Sequence, residues 1–157
     1  MSYFFTFRPI EDTDQAFLSM LYASTRAEEM RQVPWTDEEK KNFLQMQFYA
    51  QHVHYQEHYP DARFDIIMMD GVPIGRLYQE EWPSQIRIID IALLPEYRGK
   101  GMGRQLMQGV IDEGNKLGKA VSIHVEHNNP AMRLYKRLGF EKIGDKGVYF
   151  LMERKCD

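Results

Sequence analysis

The sequence predicts a mixed α+β domain in the order β-α-α-β-β-β-α-β-α-β-β, with helices on both faces of a central mixed sheet. Three observations predict it. Short β-branched and aromatic runs alternate with longer stretches whose apolar residues recur at helical spacing. Asp70-Gly71 and Gly144-Asp145-Lys146-Gly147 mark hairpins, which build antiparallel pairs. The most apolar run, Ile86 to Leu94, leads through a glycine-rich turn into a helix and a further strand, the pattern of a parallel crossover.

Tyr3 to Arg8 is aromatic and β-prone, and Pro9 is expected to end it. Glu11-Asp12-Thr13-Asp14 supplies cap residues for a helix reaching about Met30, with Phe17, Leu18, Leu21 and Tyr22 on one face. Val33-Pro34-Trp35 breaks it. Thr36-Asp37-Glu38-Glu39 is a capping box for a second helix, about 37–58, expected to turn Phe43, Met46 and Ala50 inward. Pro60 ends that helix. Strands follow at Arg63–Met69, Val72–Glu80 and Ile86–Leu94, the last apolar enough to be central. A helix over Arg104–Lys116, a strand over Lys119–Glu126 and a short helix over Pro130–Leu138 come next. Phe140–Ile143 and Val148–Glu153 form the closing hairpin.

At 157 residues the chain reads as one domain, 1–157, long enough for a real core. A hydrophobic content of 43% excludes a disordered chain, and a formal net charge of −3 does not suit a general nucleic-acid binder. One cysteine, Cys156, excludes an internal disulfide and fits a reducing compartment. No apolar run approaches the ~20 residues that span a bilayer, and the first residues lack a signal-peptide pattern. The expectation is a soluble, cytoplasmic protein with no membrane partner.

The chemistry centres on Arg98-Gly99-Lys100-Gly101-Met102-Gly103-Arg104, between the central strand and its helix. Glycines let a backbone approach a ligand closely, and the first turn of a helix offers N–H groups without internal partners. The segment therefore predicts a bound pyrophosphate. It lacks Gly-x4-Gly-Lys-Ser/Thr, and position 104 is arginine where a dinucleotide pattern needs its third glycine.

Arg98-x-x-Gly101-x-Gly103 resembles the coenzyme A loop of the GNAT N-acetyltransferase family. Asn129-Pro130-Ala131-Met132-Arg133-Leu134-Tyr135, followed by Leu138-Gly139-Phe140, resembles the second half of the same family's cofactor site. The element order matches as well. The resemblance is specific over 86–140 and weak over 10–60. It implies an acetyl-CoA-dependent N-acetyltransferase with direct transfer to a small-molecule or peptide amine. It also implies two parallel strands, Ile86–Leu94 and Lys119–Glu126, that part to admit the cofactor's pantetheine arm. The backbone of Ile91 and Leu93 would bond that arm. The pyrophosphate would rest on the segment Arg98, Gly99, Lys100, Gly101, Met102, Gly103 and Arg104, mainly on amides, with the Arg98 and Lys100 side chains assisting. Asn129, or Asn128, would bond near the pantetheine; capping before Pro130 is the other reading of such an asparagine, and the two roles are compatible. Tyr135 would protonate the leaving thiolate. Dimers are common in the family, which leaves a homodimer open.

A lysine-like amine of pKa about 10.4 is mostly protonated at pH 7, and neutralising it costs about 4–5 kcal/mol. A base is therefore expected. Asp90 comes first, because it interrupts an apolar run; Glu126 comes second, at the end of the strand beside the cleft; Glu80 and Glu81 remain as alternatives. Each also reads as an ordinary solvated or paired carboxylate. His54 and His58 share a helix face, but no third ligand is evident, so no metal is expected. Arg26, Glu29, Trp35, Tyr49 and Tyr55 fall where the family lines its acceptor side. The alternatives are a non-catalytic acyl-CoA sensor or scaffold of the same fold, and an unrelated phosphate-binding structural protein.

Overall fold

The computed structural model describes residues 2–157. Seven strands form one sheet: β1 (Thr6–Pro9), β2 (Arg63–Met69), β3 (Val72–Glu81), β4 (Gln85–Leu93), β5 (Ala120–Glu126), β6 (Glu141–Asp145) and β7 (Tyr149–Arg154). Their order is β1-β2-β3-β4-β5-β7-β6, which puts the most apolar strand, β4, at the centre. Every pairing is antiparallel except β4–β5. Pro9 lies inside β1, where an edge strand tolerates a missing N–H.

The helices α1 (Gln15–Thr25), α2 (Ala27–Arg31) and α3 (Asp37–His58) precede the hairpin strands, and α4 (Met102–Leu117) and α5 (Met132–Arg137) flank β5. Leu18, Tyr22 and Phe48 of α1 and α3 pack on Ile66 on one sheet face. Met102, Leu106, Met107, Val110 and Ile111 of α4 pack with Ile86, Ile88, Val121 and Ile123 on the other.

Several expected boundaries shift. The helix expected to reach Met30 breaks at Arg26. Ser24 and Thr25 donate their hydroxyls to the carbonyls of Leu21 and Tyr22, both at 2.6 Å, which favours termination there. In α3 the capping box forms as predicted, with Thr36 and Glu39 bonding each other's backbone. Its inner face is set by Phe48, with Leu44 packed against the core, whereas Met46 and Ala50 are exposed. Of the three residues expected inward, Phe43 is half-buried against Trp35, and the other two face outward.

Asp14 locks the first turn. Its carboxylate accepts two hydrogen bonds from Arg8 and one from the Glu11 N–H, all at 2.8 Å. The Arg8 guanidinium holds it below the usual carboxylate range. A depressed folded pKa adds stability above the unfolded value that is lost as pH falls through the folded one. Asp14→Asn is expected to cost about 1–2 kcal/mol at pH 7. In chemical denaturation, the gap to the native protein should close as pH falls below about 4.

Candidate active site

The sheet parts at its centre. β4 and β5 pair only from Gln85↔Ala120 to Ile88↔Ile123. Beyond that rung β4 runs on to Leu93 against β3, while β5 runs on to Glu126 against β7. The cause is local. Tyr78 pairs with Asp90 and Gln79 with Ile88, so Ile89 is an extra residue, a β-bulge that bends β4 away from its neighbour. The bulge also reverses facing. Ile86 and Ile88 join the α4-side core before it, and Leu93 joins that core after it, with Ile91 packed alongside.

The parting leaves backbone groups without a strand partner. Leu94 donates its N–H to Ile74 at 2.9 Å, toward β3. Strand alternation then turns Ile91 and Leu93 toward the gap. Such amides and carbonyls require another partner or remain costly. The gap belongs to a cleft of about 1880 Å³ that also reaches Gly99, Gly101, Gly103 and Arg104.

The glycine segment makes one wall. Gly99 and Gly101 have φ of +70° and +82°, conformations that side chains resist. The first internal bond of α4 runs from the Gln105 N–H to Gly101 C=O at 3.1 Å. The N–H groups of Met102, Gly103 and Arg104 therefore precede the helical ladder. A Cβ built on Gly103 would meet nothing within 4 Å, so this position faces free space in the cleft. These features fit a diphosphate held on main-chain donors.

The side chains divide differently. Met102 is buried in the core, leaving only its amide for a ligand. Arg98 folds back, donating Nε to the Leu93 carbonyl at 2.8 Å and Nη2 to Ser24 Oγ at 2.9 Å. Its guanidinium thus braces the loop against β4 and α1. Lys100 lies outside the main cleft, lining a small adjoining pocket with Arg104 and Gln105. Asn129 lines the cleft, and its side-chain oxygen accepts from the Ala131 N–H at 2.9 Å, a capping role before α5. Asn128 lies beside it on the same wall.

Tyr135 lines the cleft and is only 5% exposed. Burial, with the nearby Asp90 charge, pushes its phenol up to about 12. Asp90 also lines the cleft, but its carboxylate is engaged by Arg76, whose guanidinium bonds Gln51 as well. Glu126 is held by Arg26 at 3.1 Å. Both sequence-nominated bases are therefore ion-paired. Glu80 and Glu81 sit at the far end of the β3–β4 hairpin, bonded to Trp82 and Lys119. Arg26, Glu29 and Tyr55 do line the cleft, whereas Trp35 and Tyr49 are exposed and do not.

His124 is the residue that sequence reasoning missed. It is the first β5 residue past the last β4–β5 rung, so it stands at the vertex of the wedge. Ser122, His124 and Glu126 alternate with the buried Val121, Ile123 and Val125, which turns His124 away from the α4 side and into the cleft. Although the side chain is solvent-accessible, partial desolvation, then the charges of Arg87 and Lys146, hold its imidazole below its ordinary value. The ring is therefore mainly neutral at pH 7 and free to accept a proton. The alternation within Lys119–Glu126 was the available signal.

Among the described residues no His, Cys, Asp and Glu cluster could hold a metal ion, and no helix is long and apolar enough to cross a membrane. Over 111 residues the chain is 28% identical to an N-alpha-acetyltransferase of Sulfurisphaera tokodaii, an alignment covering 61% of this chain and 64% of the relative. It is 28% identical over 144 residues to the spermidine N(1)-acetyltransferase of Escherichia coli K12, covering 88% and 73%. The chain thus spans less than two thirds of the first relative and nearly three quarters of the second. The fold superposes on the PaiA N-acetyltransferase of Thermoplasma acidophilum, solved in complex with coenzyme A, with a TM-score of 0.70, 19% identity and 99% coverage of both chains. Residues 20–140 match the acetyltransferase (GNAT) family, to which this chain belongs.

Proposed function

We propose that the protein is an acetyl-CoA-dependent N-acetyltransferase that transfers the acetyl group directly to a primary amine. The observation that carries this reading is the parted β4–β5 seam opening beside the amides at the start of α4. Acetyl-CoA would supply an activated acyl group as a thioester. The amides of Gly101, Met102, Gly103 and Arg104 hold its diphosphate, and the freed backbone of Ile91 holds its pantetheine arm, the Leu93 carbonyl being taken by Arg98. The Leu93 N–H, turned into the gap, is placed to stabilise negative charge on the reacting carbonyl oxygen.

His124 takes the proton from the attacking amine as the C–N bond forms and the C–S bond breaks. Tyr135 serves the departing sulfur. A phenol near 12 lies about 3.5 units above a thiol, so complete proton transfer to the thiolate is uphill by about 5 kcal/mol. Tyr135 therefore acts chiefly by donating a hydrogen bond; sulfur leaves as the thiolate and takes a proton from solvent, while His124 returns the amine's proton to solvent. Tyr135→Phe is expected to lower kcat about 10- to 100-fold while changing coenzyme A affinity less than threefold, read by thiol release and calorimetry. Equal losses in both would mark Tyr135 as a packing residue.

The two relatives act, by name, on different amines, so family membership does not select the acceptor. The acceptor end offers a constraint. The cleft-lining carboxylates Glu28, Glu29, Asp90 and Glu126 each face an arginine. Tyr22, Tyr55 and Tyr149 line the same region. This balance favours a monoamine, small-molecule or peptide, over a polycation. Thiol release with acetyl-CoA and an amine panel tests the proposal. Turnover on at least one amine is expected. Binding of acetyl-CoA without turnover on any amine would favour the sensor reading.

A further inference from the structure

The segment preceding β1 reaches across to the glycine loop. Tyr3 donates its backbone N–H to Gln105 Oε1 at 2.8 Å, and Gln105 Nε2 donates back to the Tyr3 carbonyl at 2.5 Å. The Gln105 side chain thus replaces the strand partner that Tyr3 lacks. The anchored residue then donates its phenol hydroxyl to the Lys100 carbonyl at 2.9 Å. The rings of Tyr3 and Phe5 lie 6.0 Å apart and pack on the main core, so the hydroxyl is delivered from a fixed base.

The target of that bond matters. The Lys100–Gly101 peptide joins Lys100 to the left-handed Gly101, one residue after the left-handed Gly99. The plane turns about ψ of Lys100 and φ of Gly101, and a glycine at that second corner leaves it freer to rotate. A trans peptide points its carbonyl and its N–H in opposite directions. Gly99 and Gly101 line the main cleft, while Lys100 does not. Tyr3 grips the Lys100 carbonyl, so the Gly101 N–H points the opposite way, and Gly101 lines both the main cleft and the small adjoining pocket.

We propose that Tyr3 is a positioning residue for the phosphate site: its hydroxyl fixes the Lys100–Gly101 peptide so that the Gly101 N–H faces the diphosphate. The inference rests on the reading of the loop as a diphosphate cradle. Tyr3 touches neither the cofactor nor the reacting atoms. It acts before binding, by removing an alternative orientation of the loop that would present a carbonyl oxygen to an anion. The cost of that alternative is felt only by a ligand that carries the diphosphate.

That selectivity supplies the test. Tyr3→Phe keeps the ring in the core and removes one hydrogen bond. It is expected to raise the KM for acetyl-CoA, and the Kd for coenzyme A by calorimetry, about fivefold. The kcat at saturating acetyl-CoA should stay within twofold. S-acetylpantetheine, which has the same thioester arm and no diphosphate, should react with equal kcat/KM in both proteins. A second variant, Gln105→Ala, loosens the anchor of Tyr3 and should produce the same split. Equal losses with acetyl-CoA and S-acetylpantetheine would overturn the proposal, because they would report general loosening of the fold. An unchanged Kd in Tyr3→Phe would overturn it as well. Failure of the unaltered protein to bind coenzyme A would instead defeat the underlying reading of the loop.

Discussion

His124→Ala is expected to lower kcat by about 100-fold or more, the usual share of a positioned base. His124 occupies the first position on β5 after pairing with β4 stops, and it faces the cleft. Asp90 and Glu126, the carboxylates nearest the seam, are tied to Arg76 and Arg26. The imidazole is held below its ordinary value by partial desolvation and by Arg87 and Lys146, and Tyr149 of β7 packs against it with ring centroids 6.3 Å apart. Glu126, two residues on, faces the same side and is balanced by Arg26. The sign of the pH effect follows. The base works when deprotonated, so its contribution is full above its pKa and lost as pH falls through it. The acceptor amine alone gives log(kcat/KM) a slope of one below about pH 10. In the native protein the slope should steepen to two below the imidazole pKa, at a pH under 6.5. In His124→Ala it should stay at one. A variant that retains the steep limb would assign that limb to another group.

Gly103 should separate affinity from stability. Its Cβ position faces space with no heavy atom within 4 Å, and it lies in the first turn of α4. In the folded protein without ligand, alanine fits and gains helix propensity of about 0.5–1 kcal/mol relative to glycine. The space it enters is where a diphosphate would approach the amides. Gly103→Ala is expected to preserve or raise Tm while weakening coenzyme A binding about tenfold, and Gly103→Val should weaken it about 100-fold. Thermal denaturation and calorimetry on the same samples decide. Unchanged affinity in both variants would remove this turn from the binding surface.

How much of this was legible depended on separation along the chain. The central strand, the glycine turn, the helix after it and the tyrosine of α5 are local patterns, and the structure places them side by side in one cleft. The Ile89 bulge was not legible, because a run of isoleucines does not mark which residue is extra. The fate of Asp90 depended on Arg76, 14 residues away, and that of Glu126 on Arg26, 100 residues away. Such pairings arise from the fold and leave no periodic trace. Arg98 and Lys100 were expected beside phosphate on their charge. The guanidinium of Arg98 was drawn instead to the carbonyl that the parted strand exposes. Tyr3 belongs to a β-prone run, but it lies ahead of β1 and its backbone bonds a glutamine side chain instead of a strand.

Hydrogen exchange resolved to single amides, with and without saturating coenzyme A, tests the central claim most directly. The account predicts that exchange slows at Ile91 and Leu93 on the freed edge of β4 and at Gly101 to Arg104 on the loop, with little change along β1 and β2. Ligand binding that leaves those six amides exchanging at their original rates would contradict it.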